Sequence, residues 1–318
     1  MLDISRYIQH FFLEISMSHT TISSSQSDHL QRFIFDNSPI RGEWVHLNQT
    51  WENILRRRDY PSALQQLLGE MMAAAALLAA TIKLKGRLVL QTKSSGPVSM
   101  MVVECTSQYT MRAMAQWDNA AVGESEHLTE LTGAGTLALT IETVDNPKPY
   151  QGIVALEGKS IAQVIENYFT QSEQLPTRIV LAANAEVTAG LLVQQLPSAS
   201  QDEVEDEAWS RISHLTDTVT SQELLTLPAE IMLKRLFFQE QCRLLKASPI
   251  QFGCNCSRQR VANTIQLLGE KEARKVMIEQ GVIEVVCEFC NEHYRFNQQQ
   301  IETIFQQKTT SFHSPTIH

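Results

Sequence analysis

Four cysteines carry the most specific chemistry in this sequence. Cys254 and Cys256 stand one residue apart in FGCNCSRQR, Cys287 and Cys290 stand two apart in VVCEFCNEHY, and thirty residues separate the pairs. A CxxC spacing lets a turn aim both sulfurs at one tetrahedral ion, at roughly 2.3 Å for zinc and sulfur. Side chains at i and i+2 diverge on an extended strand, so CNC has to bend to chelate the same ion. Four thiolates fill every coordination position and leave none for water or substrate, which makes such a centre structural and not hydrolytic. The expectation is one Zn2+ per chain, held by Cys254, Cys256, Cys287 and Cys290. His293 is close enough in sequence to compete as a ligand, but a surface or core histidine is the preferred reading.

Size strengthens the metal assignment. From Cys254 to the C-terminus there are 65 residues, ending in a polar tail. An ordered module of about 50 residues commonly needs a metal or disulfide staple. Structural zinc contributes about 10–16 kcal/mol in small peptides, whereas whole domains are stable by only about 5–15 kcal/mol. Loss of the ion is therefore expected to unfold the module. Thiolates are also the oxidisable form of cysteine, and disulfide formation would destroy the ligand set. Three connectivities are open, of which the close spacings favour Cys254–Cys256 and Cys287–Cys290. Arg258 and Arg260 are expected to offset part of the net −2 that four thiolates leave around Zn2+. On chemistry alone, a zinc module that never oxidises in the cell is the plainer alternative. Cys105 and Cys242 stand apart and read as inert thiols.

The elements that position these residues can be read along the chain. HLQRFIFDN and the alternating GEWVHL, within residues 28–50, suggest a short helix and a strand. DYPSALQQLLGEMMAAAALLAATIKLKG predicts a buried helix that opens at Pro61 and stops at Gly86. RLVLQT, VSMMVVE, YTMRAMAQW, GTLALTIET and YQGIVALE then read as strands. SIAQVIENYFTQSEQ reads as an amphipathic helix capped by Ser160, and RIVLAANAEVTAGLLVQQLP as two more strands. Strands in runs with segregated helices indicate α+β and not a doubly wound sheet. Past Pro197 the texture becomes acidic and helical, with helices expected over 206–215 and 221–245 and Pro228 breaking or starting one. The expected organisation is an extension (1–26), a mixed helix and antiparallel-sheet domain (27–197), a helical linker (198–252), a small four-cysteine zinc module (253–307) and a polar tail (308–318).

Composition excludes several classes. The chain has 318 residues with 43% apolar and 19% charged, ordinary for a globular protein. Its net charge of −9 handicaps non-specific nucleic-acid binding, and the stretch that holds the four cysteines carries as many acidic as basic residues. The longest apolar run, residues 71–80, is too short to cross a bilayer, and the N-terminal stretch lacks a secretory cleavage pattern. Met1 and Met17 both stay open as the start; initiation at Met17 would leave out residues 1–16. Paired cysteines without an export signal point to a reducing cytoplasm. No nucleophile elbow, HExxH or phosphate-binding loop is present, and CEFC lacks a thioredoxin-like βαβ context, so an enzyme is not expected.

Beyond the cysteines, CSRQRV, CNEHYRF, YQGIVALEG, YFTQSEQLPTRI and TSQELLTLPAEIMLKRLF complete a pattern over about residues 28–307 that resembles the heat shock protein 33 family of redox-regulated bacterial chaperones. The resemblance implies an ATP-independent holdase that is folded, zinc-bound and inactive when reduced. Hypochlorous acid, or peroxide with heat, would convert the four cysteines to two disulfides, expel zinc and unfold the linker. The exposed surface would then hold unfolding client proteins, with homodimerisation, and pass them to ATP-driven foldases when reducing conditions return. Ile231, Leu233, Leu236, Phe237 and Phe238 are the client contacts expected on that reading, exposed if the linker opens. No specific nucleic acid and no membrane partner is expected.

Overall fold

The computed structural model describes residues 28–82, 85–123, 127–146, 148–197 and 203–306; the extension, the alternative start at Met17 and the polar tail lie outside these. Fourteen strands and ten α-helices are described, and all but one strand pairing is antiparallel, an α+β architecture.

Strands β1 (His29–Phe35) and β2 (Ile40–Leu47) form a hairpin. HLQRFIF is therefore a strand and not the expected helix. Its Phe33 and Phe35 alternate onto one face, while Asp36, Asn37, Ser38 and Pro39 make the turn. The Phe33 ring lies directly over Gly42 on β2, where any Cβ would collide at 2.0 Å. The first sheet continues through β9 (Thr188–Gln195) and β8 (Thr177–Ala183). In the second sheet, β3 (Gly86–Ser94) pairs with β4 (Val98–Thr106), which pairs with β5 (Thr110–Trp117). On the other side of β3 lie β6 (Gly135–Thr143) and β7 (Tyr150–Ala155).

Both sheets pack on α2 (Ser62–Thr81), which follows α1 (Gln49–Leu55). Ala-rich and apolar all round, α2 matches a membrane span in length and composition, yet 83% of its most apolar window is buried in the protein. It ends at Thr81, before Gly86, because Gly86 already pairs with Thr143 as the first residue of β3. Where α2 meets β8 the contact is tight: a Cβ on Gly69 would sit 2.5 Å from that of Ala183. Two shorter helices complete this region: α3 (Leu128–Thr132) and α4 (Ile161–Tyr168), the latter capped by Ser160 Oγ, which accepts from Gln163 N at 3.3 Å.

The second face of the first sheet is covered by the linker. Helices α5 (Glu203–Thr216), α6 (Ser221–Thr226) and α7 (Ala229–Leu236) set Ile212, Leu224, Met232, Leu233 and Phe237 against Phe33, Phe35, Trp44, Leu191 and Val193. The helical stretch expected over 221–245 has the break expected at Pro228 but stops at Leu236, short of 245. Pro228 interrupts it with an extended backbone, and after Phe237 the chain turns into three short strands. Of these, β10 (Cys242–Leu244) and β11 (Ser248–Pro249) pair with β1, and β12 (Gln251–Phe252) runs parallel to β5.

The C-terminal module has its own small core. Helices α8 (Arg258–Leu268), α9 (Glu270–Gln280) and α10 (Gln298–Gln306) flank the hairpin of β13 (Ile283–Val286) and β14 (His293–Phe296). Its fully buried apolar residues are Ile265, Ala273, Ile283, Phe296 and Ile301. At roughly 1.5–3 kcal/mol for burying a large side chain, so small a set is a weak counterweight to ordering some 50 residues.

Candidate metal centre

The four sulfurs converge. Cys254, Cys256, Cys287 and Cys290 place their Sγ atoms within 4.8 Å of one another. Cys254 and Cys256 sit in the irregular stretch between β12 and α8, which meets the requirement that CNC bend. Cys287 and Cys290 occupy the turn of the β13–β14 hairpin. That turn is closed by Cys287 N donating to Glu292 O at 2.9 Å and by Asn291 N donating to Cys287 O at 2.8 Å. Asn291 takes φ 59°, a left-handed position that asparagine tolerates better than most residues.

The sulfur geometry fits a tetrahedral ion. Cys254 Sγ lies 3.7 Å from Cys287 Sγ, and Cys256 Sγ lies 3.3 Å from Cys290 Sγ. A tetrahedron with zinc–sulfur bonds near 2.3 Å has sulfur–sulfur edges of about 3.8 Å. Burial raises the Cys254 thiol, but hydrogen bonds from Cys256, Arg112 and Cys290 outweigh it and bring it down to about 7. Cys287 and Cys290 are pushed up, first by burial and then, at Cys287, by the charge on Cys254. Four thiolates cannot share so small a volume unaided; a divalent cation at the centre reverses the balance and favours all four charged forms.

Among the described contacts, neither Arg258 nor Arg260 donates to a sulfur. Arg258 stacks on Phe296 at 4.3 Å and donates to Arg295 O at 2.6 Å, and Arg260 is exposed. The guanidinium that reaches a sulfur is Arg112 on β5, whose Nη1 lies 3.5 Å from Cys254 Sγ. Glu104 on β4 fixes Arg112 through two hydrogen bonds of 3.0 and 2.8 Å, and Phe289 of the CEFC turn stacks on it at 4.0 Å. Arg58 pairs with Glu288 of the same turn at 2.6 Å. Gly253 lies against Thr110, whose methyl would be 2.3 Å from a Cβ there, and its N–H donates to Met111 O at 3.0 Å. The cysteine turns are thus docked on the second sheet. Tyr294 adds a hydroxyl donor to Cys256 Sγ at 3.1 Å. His293 is exposed, and its Nδ1 is 2.9 Å from Glu284, away from the sulfur group.

The docking predicts a measurable effect. Arg112→Ala should keep the metal in the reduced protein, yet release it to a chromogenic chelator about tenfold or more faster under oxidant, because a part-buried charge-assisted contact contributes about 1.5–3 kcal/mol. Unchanged release kinetics would show that the contact does not restrain the turns.

The remaining cysteines stand outside the sulfur cluster. Cys105 is fully buried on β4 and raised to about 12 by burial; Cys242 on β10 is half-buried and raised to about 11 by burial and by Asp36. The five apolar linker residues divide. Leu233 and Phe237 are buried and Leu236 is partly buried on the same cluster, but Ile231 and Phe238 already stand exposed at 56% and 72%. Opening would therefore uncover three of them and not five.

Comparison with known proteins agrees with this architecture. The model of the family described as Hsp33 protein matches residues 28–297. The 33 kDa chaperonin of Methylobacillus flagellatus is 45% identical over 280 residues, covering 88% of this chain and 94% of that protein. That of Nitrosococcus oceani is 44% identical over 293 residues, covering 92% and 99%. The crystal structure of the 33 kDa chaperonin of Thermotoga maritima superimposes with a TM-score of 0.75 over 88% of this chain and 99% of that one, at 23% identity, a likeness of fold. With a matched span that takes in both sheets, the linker and the four cysteines, the chain belongs to the Hsp33 protein family, a family of chaperones.

Proposed function

We propose that the protein is a redox-regulated, ATP-independent holdase of a reducing cytoplasm, held inactive by one Zn2+ on Cys254, Cys256, Cys287 and Cys290. The observation that carries this reading is the convergence of four sulfurs in a module with a small core, joined directly to a linker that covers an apolar sheet face. When bound, the ion supplies folding energy and holds four thiolates close together without mutual repulsion. Each pair of thiolates gives up two electrons to one hypochlorous acid, which takes up a proton and leaves as chloride and water. Two disulfides remain, and the donor set is gone.

The pairs Cys254–Cys256 and Cys287–Cys290 are favoured because, in an unfolding module, closing a loop of a few residues costs less than closing one of about thirty. The module and then residues 198–252 unfold, exposing Leu233, Leu236 and Phe237 beside Ile231 and Phe238 and leaving the face around Phe33, Phe35 and Trp44 open to unfolded clients. The oxidised form associates as a homodimer, and ATP-driven foldases receive the clients after reduction.

The test treats purified reduced protein with hypochlorous acid and follows metal release together with aggregation of a thermally unfolding client, without ATP. Release near one zinc per chain, with suppression gained on oxidation and lost on reduction, is expected. Retained zinc and no gain in activity would reduce the centre to a structural module.

A further inference from the structure

The two-sheet domain contains a cavity that the cysteine chemistry does not use. Its volume is about 430 Å³, and it lies beside the C-terminal end of α2, with Ala80 and Ile82 on one wall and Lys85 and Tyr109 among its lining. From the first sheet it receives Arg32 on β1 and Arg41 and Glu43 on β2. These three share the strand face that carries Leu30, Val45 and Leu47 into the α2 core, so they point between the sheets.

The charged groups here do not satisfy one another. Glu43 is 2% exposed and its Oε2 has no hydrogen-bond partner; the buried Nε atoms of Arg32 and Arg41 have none either. Each guanidinium keeps one anchor of its own. Arg32 Nη2 donates to the Tyr109 hydroxyl, and Arg41 Nη2 donates to Gln194 Oε1 at 2.7 Å. Burial raises the Glu43 carboxyl to about 7 against the opposing pull of Arg41 and Arg32. Near neutrality it is therefore available to donate as well as to accept. Buried polar atoms without partners are uncommon and mark a charge cluster that its own neighbours leave incomplete. Three of them belong to residues around a single cavity, with a net excess of positive charge.

We propose that this cavity binds a small oxyanion, the phosphate or carboxylate group of a metabolite-sized ligand, between the Arg32 and Arg41 guanidiniums with Lys85 beside them. Guanidinium groups match such oxygens in both charge and donor geometry. A neighbouring cavity of about 380 Å³ shares Arg41, Thr81 and Ile82 and is lined by Leu139, Phe169 and Leu175. A head group on Arg41 can therefore carry an apolar chain into it.

Thermal unfolding of the reduced full-length protein tests this, with inorganic phosphate, acetate or octanoate added at constant ionic strength. The expected result is a saturable rise in midpoint for at least one of the three. Apparent affinity should drop tenfold or more in Arg41→Gln and Arg32→Gln and remain unchanged in Arg243→Gln, which alters an exposed arginine paired with Asp36. Preference for phosphate identifies a phosphate group; octanoate at least tenfold tighter than acetate identifies a carboxylate with an apolar chain. Should either cavity-lining arginine variant fail to fold, Lys85→Gln at an exposed position should still weaken binding about threefold. A shallow, unsaturable rise that is equal in wild type and all variants means an adventitious ion only and overturns the proposal. The arginines would then serve the electronegative end of α2.

Discussion

Cys287→Ser should yield a reduced protein that carries little zinc and whose residues 254–306 exchange amide hydrogens at rates close to those of an unfolded chain. Four observations set the size of this effect. The module's buried core is five apolar residues, one of them an alanine. Among the described residues, the hydrogen bonds between its two cysteine turns run from sulfur to sulfur, at 3.7 Å for Cys254 with Cys287 and 3.3 Å for Cys256 with Cys290. The hairpin pairs only four residues on each side. Structural zinc contributes about 10–16 kcal/mol in small peptides, and most of that requires the full ligand set. Serine keeps the shape of cysteine but not a thiolate, so the loss is electronic and not steric. Amides of β2, β4 and β9, in the interiors of the two sheets, should keep their protection. Stoichiometric zinc and protected amides across β13 and β14 in this variant would show that the module stands without its fourth ligand.

Phe237→Ala should open the linker while the metal centre stays intact. The Phe237 ring is 1% exposed and packs edge-on against Phe35, with centroids 5.0 Å apart, and at 6.0 Å from Phe33. Truncating a buried phenylalanine to alanine costs about 3–5 kcal/mol. Here the cost falls on docking of the linker, so the undocked population should rise by a hundredfold or more at about 1.4 kcal/mol per decade. Limited proteolysis within residues 203–252 should accelerate in the reduced, zinc-loaded variant, and client aggregation should be suppressed in part without oxidant. Phe238→Ala, one residue on and 72% exposed, is the matched control and should leave the cleavage rate unchanged. Equal cleavage of both variants and wild type would show that this aromatic cluster does not hold the linker closed.

The convergence of the four cysteines was the most legible part of the molecule because its chemistry is local: CxC and CxxC each define their own turn. The strands β3 to β9 were readable because apolar alternation and turn residues agree. β1 was misleading for a physical reason. Gln31 is buried and Arg32 points toward the interior, so the polar–apolar alternation that marks a strand is blurred in HLQRFIF. The strands of 242–252 are two or three residues long and exist only because β1 and β5 lie beside them, a tertiary cause that leaves no local pattern. Arg112 shows the same limit at the site itself. It lies 142 residues from Cys254, and nothing in TMRAMAQW marks it as a sulfur partner. The two exposed linker residues could not be told from their buried neighbours, because the break at Pro228 and the turn after Phe237 set which side of α7 faces the sheet.

The short strands that precede the cysteines have a further consequence. By lying along β1 and β5, residues 242–252 cap one open border of each sheet. Carbonyls of Arg32, Asp28, Tyr109 and Met111 accept hydrogen bonds from Leu245, Ile250, Gln251 and Gly253. Lifting this stretch away strips partners from main-chain groups as well as cover from apolar side chains. An uncapped border accepts any extended polypeptide, whatever its side chains, and refuses one already folded. It accepts a second copy of the same chain equally well, so the segment that tethers the cysteine module also shields the protein from self-association.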